Sequence, residues 1–180
     1  YSPAAGTGLS SHELNQPGCY REVKDTSVVA QFRALPECAD RIRLHAGPQV
    51  AAALAHLPVD FLAWTTTPWT LPSNLALAVG KDIDYAILQK GDVRYVIGAA
   101  TVANYKKELD GFEQIGSLKG KDLVGRAYEP MFPYFAGRTN CFVVLSGDFV
   151  DTAEGTGVVH MAPGFGEDDQ KVCEANGIDL

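Results

Sequence analysis

Two stretches of the chain carry side chains that could do chemistry together. The first is Trp64-Thr65-Thr66-Thr67-Pro68-Trp69-Thr70-Leu71-Pro72-Ser73-Asn74. Three consecutive threonines close an apolar run and a proline stops them, which sets small hydroxyls where the chain turns out of a sheet. A hydroxyl both donates and accepts, so such a row can hold a carbonyl, a ribose hydroxyl or a water without bringing charge. The second stretch is Gly155-Thr156-Gly157-Val158-Val159-His160-Met161-Ala162-Pro163-Gly164-Phe165-Gly166-Glu167-Asp168-Asp169. His160 ends a strand-like run, Pro163, Gly164 and Gly166 reverse the chain, and Asp169 falls in the first turn of a helix-like segment. A tight loop of this kind can bring His160 and Asp169 to one cavity. Each stretch also has a plain structural reading. The first fits a Thr-rich strand end with Trp64 and Trp69 in a core and Asn74 satisfying a turn. The second fits a hydrogen-bonded core histidine followed by acids placed favourably at a helix N-terminus.

Other motifs fail on inspection. Gly155-x-Gly157-x-x-His160 lacks the third glycine of a dinucleotide loop and precedes a strand instead of joining strand to helix. There is no Gly-x-Ser-x-Gly elbow and no phosphate-loop lysine. His160 and Asp169 are only two potential metal ligands, with no second histidine nearby in sequence. Hydrolysis at such a site is expected to proceed without a metal, a cofactor or a covalent intermediate.

The elements that must position these residues are short and mostly strands. Thr26–Leu35 carries β-branched residues in partial alternation, and Val59–Thr66 reads as a buried strand. Tyr85–Gln89 and Val93–Ile97 flank Lys90-Gly91-Asp92 as a hairpin. Cys141–Leu145 and Gly157–Met161 are further apolar strands. Gln49–Leu57, Ala-rich between Pro48 and Pro58, predicts a short helix. Val102, Tyr105 and Leu109 recur at helical spacing, and Glu167–Ala175 has acids in its first turn with Gly177 just past its end. Residues 1–18, rich in Gly, Ser and Pro, read as an extended leading segment. The pattern predicts one domain over residues 1–180, mixed α/β and β-rich, compact and barrel-like with peripheral helices.

Composition narrows the function classes. The chain has 180 residues and a formal net charge of -7, which argues against unaided tight binding of a phosphate backbone. Its 15 Lys and Arg are scattered, the nearest thing to a patch being Lys106-Lys107 with Lys119 and Lys121. If the substrate is an RNA, most of the grip must come from outside this chain. No apolar run is long enough for a membrane helix, and the first residues lack the features of a signal peptide. The four cysteines are far apart, which suits inert thiols in a reducing, cytoplasmic compartment. The start at Tyr1 and the stop at Leu180 read as a piece cut from something larger.

Together and in this order, the two stretches resemble the editing domain inserted into the catalytic core of isoleucyl-tRNA synthetases. Tyr20-Arg21-Glu22-Val23-Lys24-Asp25 is similar to the start of that insertion, while the middle of the chain resembles the family only diffusely. Leucyl and valyl editing domains typically read Thr-Thr-Arg-Pro where this chain has Thr66-Thr67-Pro68-Trp69, and the continuation Trp69-Thr70-Leu71-Pro72 is the isoleucyl form. The signatures of the aminoacylation site are absent, so these residues are not expected to activate amino acids.

The resemblance implies post-transfer proofreading, the hydrolysis of valine from mischarged tRNA(Ile). A synthetic pocket discriminates against one missing methylene by only about 1–3 kcal/mol, and the isoleucine/valine pair is the standard illustration of that limit. A second sieve must admit valine and refuse isoleucine. By the same resemblance Asp169 anchors the α-ammonium, while Thr66 and Thr67 act on the ester with Thr65, Thr70 and Asn74 lining the pocket. Trp64 and Phe165 pack the terminal adenosine or the walls, and His160 lies beside the valine methyls as a sieve more than a general base. The implied partners are the valyl-adenosine end of tRNA and the rest of the parent synthetase, with no membrane and an isolated domain that is monomeric. Two alternatives stay open: a catalytically silent aminoacyl-adenosine or RNA-binding module, and an editing domain of valyl or leucyl specificity.

Overall fold

The structure is a computed structural model that describes residues 2–48 and 57–180. Eight strands form one curled sheet: β1 Val28–Arg33, β2 Asp60–Thr65, β3 Ala76–Val79, β4 Asp84–Lys90, β5 Val93–Gly98, β6 Glu113–Lys119, β7 Val143–Ser146 and β8 Val158–Met161. The helices lying wholly within the described residues are α1 Ser11–Leu14, α2 Pro36–Arg43, α3 Gly120–Leu123 and α4 Glu167–Ala175, with short 3-10 turns between strands. Strand outweighs helix, as the mixed, β-rich reading expects. The helix anticipated at Gln49–Leu57 falls on 49–56, outside the described residues.

β2 is the strand on which the sheet divides. Along one edge it pairs antiparallel with all of β1, from Val28↔Thr65 to Arg33↔Asp60. Along the other edge its first residues pair parallel with β5 and Trp64 pairs parallel with Val159 of β8. β5, β4 and β6 extend one way; β8, β3 and β7 extend the other. That second branch curls back on itself, because bridges Ala127↔Val143 and Ala34↔Tyr128 carry the sheet from β7 to the end of β1. The circuit β1-β2-β8-β3-β7 is thus completed by residues 127 and 128, which removes exposed edges there.

The side chains explain the division. β2 is buried on both faces, Phe61 and Ala63 entering the larger core and Leu62 a second cluster with Leu88, Ile97 and Leu109. Hence its run DFLAWT is nearly continuous in apolar character rather than alternating. Inside the circuit Tyr128 meets both Phe32 and Phe142 edge to face, with ring centroids 5.4 and 6.0 Å apart. At the open end of β2 the buried Asp60 pairs with Arg33 across the strand register. The four cysteines are free.

Several elements differ from the sequence reading. Residues 1–18 are not extended throughout: Ser10 and Glu13 cap each other's backbone and side chain and nucleate the single turn α1. The segment carrying Val102, Tyr105 and Leu109 winds as a 3-10 turn over Ala99–Tyr105, where the Thr101 hydroxyl donates to the Gly98 carbonyl three residues back. Three elements had no clear pattern. α2 opens on Pro36; β3 is an Ala-rich strand buried along its whole length; β6 is an exposed edge strand whose register slips opposite Ile87 and Leu88.

Trp64 is fixed from behind by the loop leading into β8. Its backbone N–H donates to Thr156 Oγ1, and Gly155 lies against its ring with φ +69°, so close that a Cβ there would stand 2.7 Å from Trp64 Cε3. Gly125 has a comparable φ of +78° and open space around it. Alanine at either position costs about 1–2 kcal/mol for the left-handed backbone, and at Gly155 the collision adds about 1–3 kcal/mol. Urea midpoints of Gly155→Ala and Gly125→Ala are therefore expected to differ clearly, with Gly155→Ala the less stable. Equal midpoints would mean that the indole is not held by this contact.

Candidate active site

β8 lies between β2 and β3, and that placement joins the two chemical stretches. Trp64↔Val159 sets the end of β2 against β8, and Leu77↔His160 sets β8 against β3. Past Thr65 the chain leaves the sheet, Pro68 opens a 3-10 turn over Pro68–Ser73, and the turn delivers Thr70 back to the sheet. Past Met161 the loop through Pro163, Gly164 and Gly166 reverses into α4 and returns Asp169. A cleft of about 300 Å3 results, lined by Trp64, Thr65, Thr66, Thr67, Thr70 and His160, with Val159, Ala162, Phe165, Gly166 and Asp169 completing it.

The hydroxyls fall into two groups. Thr65 and Thr70 are buried and committed to the protein: Thr65 Oγ1 accepts from the Thr67 N–H at 3.0 Å, and Thr70 donates to the Thr67 carbonyl at 2.8 Å. Thr66 and Thr67 are exposed. The Thr66 hydroxyl has no hydrogen-bond partner among the described residues, and the Thr67 hydroxyl makes only long contacts of 3.3 and 3.4 Å to Thr65 and Thr70. Two donors and acceptors are thus left for a ligand, fixed on a turn that is itself hydrogen-bonded.

His160 is 6% exposed and bonded through both ring nitrogens, to Thr70 Oγ1 at 2.9 Å through Nε2 and to Asn74 Nδ2 at 2.9 Å through Nδ1. The network assigns the tautomer. Asn74 Nδ2 also donates to the Ala76 carbonyl, so the nitrogen end of the amide faces His160 and Nδ1 must accept. Thr70 spends its proton on the Thr67 carbonyl, so it accepts from Nε2–H. Burial depresses the imidazole from 6.5 to about 4. The ring is neutral near pH 7 and has no free lone pair.

Asp169 is half-buried at the opposite wall. Its Oδ2 accepts the Ala162 N–H at 2.9 Å, and Oδ1 takes no hydrogen bond from any described residue. Burial raises the carboxyl above its ordinary range; the Ala162 bond opposes this and the neighbouring Asp168 adds to it. An anion partly stripped of water, with one oxygen open to the cleft, is suited to a cation.

Most of the residues singled out in the sequence meet here. Trp64 is half-buried and Phe165 stands at the rim, 66% exposed. Asn74 does not reach the cleft wall: its amide is consumed behind His160 by Ala76, by His160 and by the Tyr128 hydroxyl, which donates to Asn74 Oδ1 at 2.6 Å. The sequence reading missed Tyr128 and Thr156, which support the site from outside it. The bonds by which they support the site reach 54 and 92 positions away, so nothing local marks that role, although Thr156 also donates to the Val158 carbonyl two residues on. Ala162 and Gly166 were within the second stretch, but only the loop geometry shows that the Ala162 N–H orients Asp169. Among the described residues no cluster of three or more His, Cys, Asp or Glu is placed to hold a metal ion, and no helix is long and apolar enough to cross a membrane.

The buried imidazole makes stability depend on pH. Between about 4 and 6.5 the unfolded chain binds a proton on His160 that the folded chain refuses. The contribution is therefore fully present above 6.5 and lost as pH falls toward 4, an integrated effect of roughly 3 kcal/mol. Urea unfolding followed across that window is expected to show this loss in the parent chain and a flatter profile in His160→Gln. Parallel profiles would place the ring in a more solvated setting.

No family model matches the chain. Curated relatives match along all of it: the isoleucine–tRNA ligase of Rickettsia bellii is 61% identical over 213 residues, covering 100% of this chain. That of Cytophaga hutchinsonii is 47% identical over 199 residues, covering 99%. The chain spans only 19% and 17% of the length of these two ligases. Among solved structures, the editing domain of the Plasmodium knowlesi cytosolic leucyl-tRNA synthetase superposes with a TM-score of 0.67 at 13% identity, over 84% of this chain and 62% of that one. The corresponding P. falciparum domain gives 0.66 at 12% identity, over 83% and 65%. At such identities the structural likeness is one of fold, whereas the ligase matches are matches of sequence. The chain belongs with the isoleucine–tRNA ligases, as a segment of them that has the fold of a synthetase editing domain.

Proposed function

We propose that this segment hydrolyses the ester of valine wrongly attached to tRNA(Ile) and spares the cognate isoleucine ester, working as part of an isoleucine–tRNA ligase in the cytoplasm. The observation that carries the reading is the pairing, across one small cleft, of an open carboxylate oxygen on Asp169 with the uncommitted hydroxyls of Thr66 and Thr67. An aminoacyl ester presents an ammonium beside a carbonyl. Asp169 takes the ammonium, and the threonines orient the carbonyl, the terminal ribose and the attacking water. Such an ester is already activated, so positioning and neutral donors toward the developing oxyanion supply the acceleration. Trp64 and Phe165 offer flat faces for the adenine.

His160 is the sieve in this reading, not the base. Its Nδ1 is occupied by the Asn74 amide, its Nε2–H is given to Thr70, and its low basicity leaves it a poor proton acceptor. What it offers the cleft is volume held in place by two hydrogen bonds. A rigid wall charges about 1–3 kcal/mol for an added methylene, the term that refuses isoleucine. The acidic surface fits a segment that reads only the aminoacylated 3′ end, the body of the tRNA being held elsewhere on the parent enzyme.

The test is deacylation of Val-tRNA(Ile) and Ile-tRNA(Ile) by a full-length isoleucine–tRNA ligase carrying this segment. Asp169→Ala is expected to slow valine release roughly 10- to 150-fold, the equivalent of losing a charge-assisted bond of about 1.5–3 kcal/mol, with aminoacylation nearly unchanged. Undiminished release would remove Asp169 from the site. His160→Ala is expected to keep part of the valine activity and to gain on the isoleucine ester. A general base would instead lose about 10²- to 10⁴-fold on both. The absence of any hydrolysis by the parent segment would leave a binding module, and preference for leucyl or threonyl esters would reassign its specificity.

A further inference from the structure

Tyr128 lies outside the cleft and belongs to the bridge that closes the strand circuit, yet its side chain ends at the site. It is buried, and its hydroxyl donates to Asn74 Oδ1 at 2.6 Å. The other end of that amide donates to the Ala76 carbonyl at 2.8 Å and to His160 Nδ1 at 2.9 Å. We infer that Tyr128 is a positioning residue for the cleft: its hydroxyl locks the Asn74 amide in the orientation that holds His160 as the Nε2–H tautomer.

The two ends of the amide are addressed by partners of opposite kind. Tyr128 supplies a donor to the oxygen, and Ala76 supplies an acceptor to the nitrogen. Turning the amide over would leave its oxygen facing the Ala76 carbonyl and its NH2 facing the tyrosine hydroxyl. His160 would then have to protonate Nδ1 to meet the amide oxygen, and Nε2 would become an acceptor. Thr70 would have to donate to that nitrogen, abandoning the Thr67 carbonyl to which it now donates at 2.8 Å. The change would run from a buried tyrosine to the backbone of the threonine turn. It would also move the lone pair of the imidazole from Nδ1, beneath Asn74, to Nε2, the nitrogen that faces Thr70.

Removing the hydroxyl breaks the lock without changing the ring that packs against Phe32 and Phe142. The Asn74 oxygen then loses its one donor among the described residues, and the amide is held in its present orientation only from its nitrogen end, which donates to the Ala76 carbonyl; turned over, it sets its oxygen against a His160 ring protonated at Nδ1. A second tautomer therefore becomes populated. The activity arm of the test rests on the proofreading reading; the structural arm does not.

The experiment is imidazole ¹⁵N spectroscopy of the histidine-labelled chain, with His160 assigned by difference from His160→Gln. The parent is expected to show one pure Nε2–H tautomer at neutral pH, Tyr128→Phe a measurable shift toward Nδ1–H, and Thr70→Val an Nε2–H ring still held by Asn74. In the full-length ligase Tyr128→Phe should raise the ratio of isoleucine to valine ester hydrolysis several-fold, whereas a purely structural tyrosine would lower the melting temperature and leave both ring signature and ratio unmoved. An Nδ1–H ring in the parent, an unshifted ring in folded Tyr128→Phe, or a tautomer reversed by Thr70→Val would each overturn the assignment. If Tyr128→Phe fails to fold, the parent and Thr70→Val still decide it. A tautomer that behaves as expected in a segment that hydrolyses no ester would retain the positioning role and remove the proofreading one.

Discussion

The position of β8 is the constraint from which the site follows. A strand inserted parallel to β2 and antiparallel to β3 must put the end of the Thr-rich stretch beside His160, although Thr70 and His160 stand 90 positions apart in sequence. The pairing is enforced by packing, since β3 is enclosed along its whole length and a one-residue slip would exchange Leu77 with a neighbouring alanine at filled core positions. With register fixed, the only freedom left to the two stretches is in their loops. Pro68 and the 3-10 turn remove it on one side, and the Ala162–Asp169 hydrogen bond removes it on the other.

The wall of the cleft is polar at depth and apolar in effect. His160, Thr70, Asn74 and Tyr128 are all buried, and each is satisfied by another member of the set or by a carbonyl. Isolated polar groups at such depth would be costly, whereas a fully connected set is rigid. Rigidity is what a size filter needs, because a wall that yields by a few tenths of an ångström no longer distinguishes one methylene. The groups proposed to meet a ligand, Thr66, Thr67 and Asp169, by contrast keep hydrogen-bonding capacity that no described residue uses. The division between committed and uncommitted polar atoms separates support from contact more cleanly than distance to the cleft does.

How much of this was legible in the sequence depended on the range of the interactions. The strands of the hairpin, β2, β8 and α4 announce themselves through local pattern and through turn residues such as Gly91 and Gly177. The two chemical stretches were visible for the same reason, as each is a continuous run with a stop signal. What could not be read was anything set by a distant partner. β3 carries no alternation because both its faces are buried, β6 carries little apolar character because it is an edge, and Tyr128 sits in an irregular stretch where nothing local marks it. Asn74 shows the limit most clearly: its residue type suggested a satisfied turn and the family resemblance implied a pocket-lining contact, and only the geometry of Ala76 and Tyr128 shows that its hydrogen bonds are directed inward.

The negative charge of the segment and the anionic site at its centre bear on one another. A carboxylate held half-buried beside Asp168 is raised toward its neutral form, so the site gains most when a cation arrives to share the charge. An α-ammonium does this in an aminoacyl ester. Free uncharged tRNA offers only phosphates and a neutral ribose, which the acidic surface does not favour. In the proposed reaction, selectivity for the charged over the uncharged 3′ end would rest on the same electrostatics that argue against a strong hold on RNA. That weakness is useful in the proposed reaction, since the hydrolysed product loses its only cationic handle at the moment it must leave.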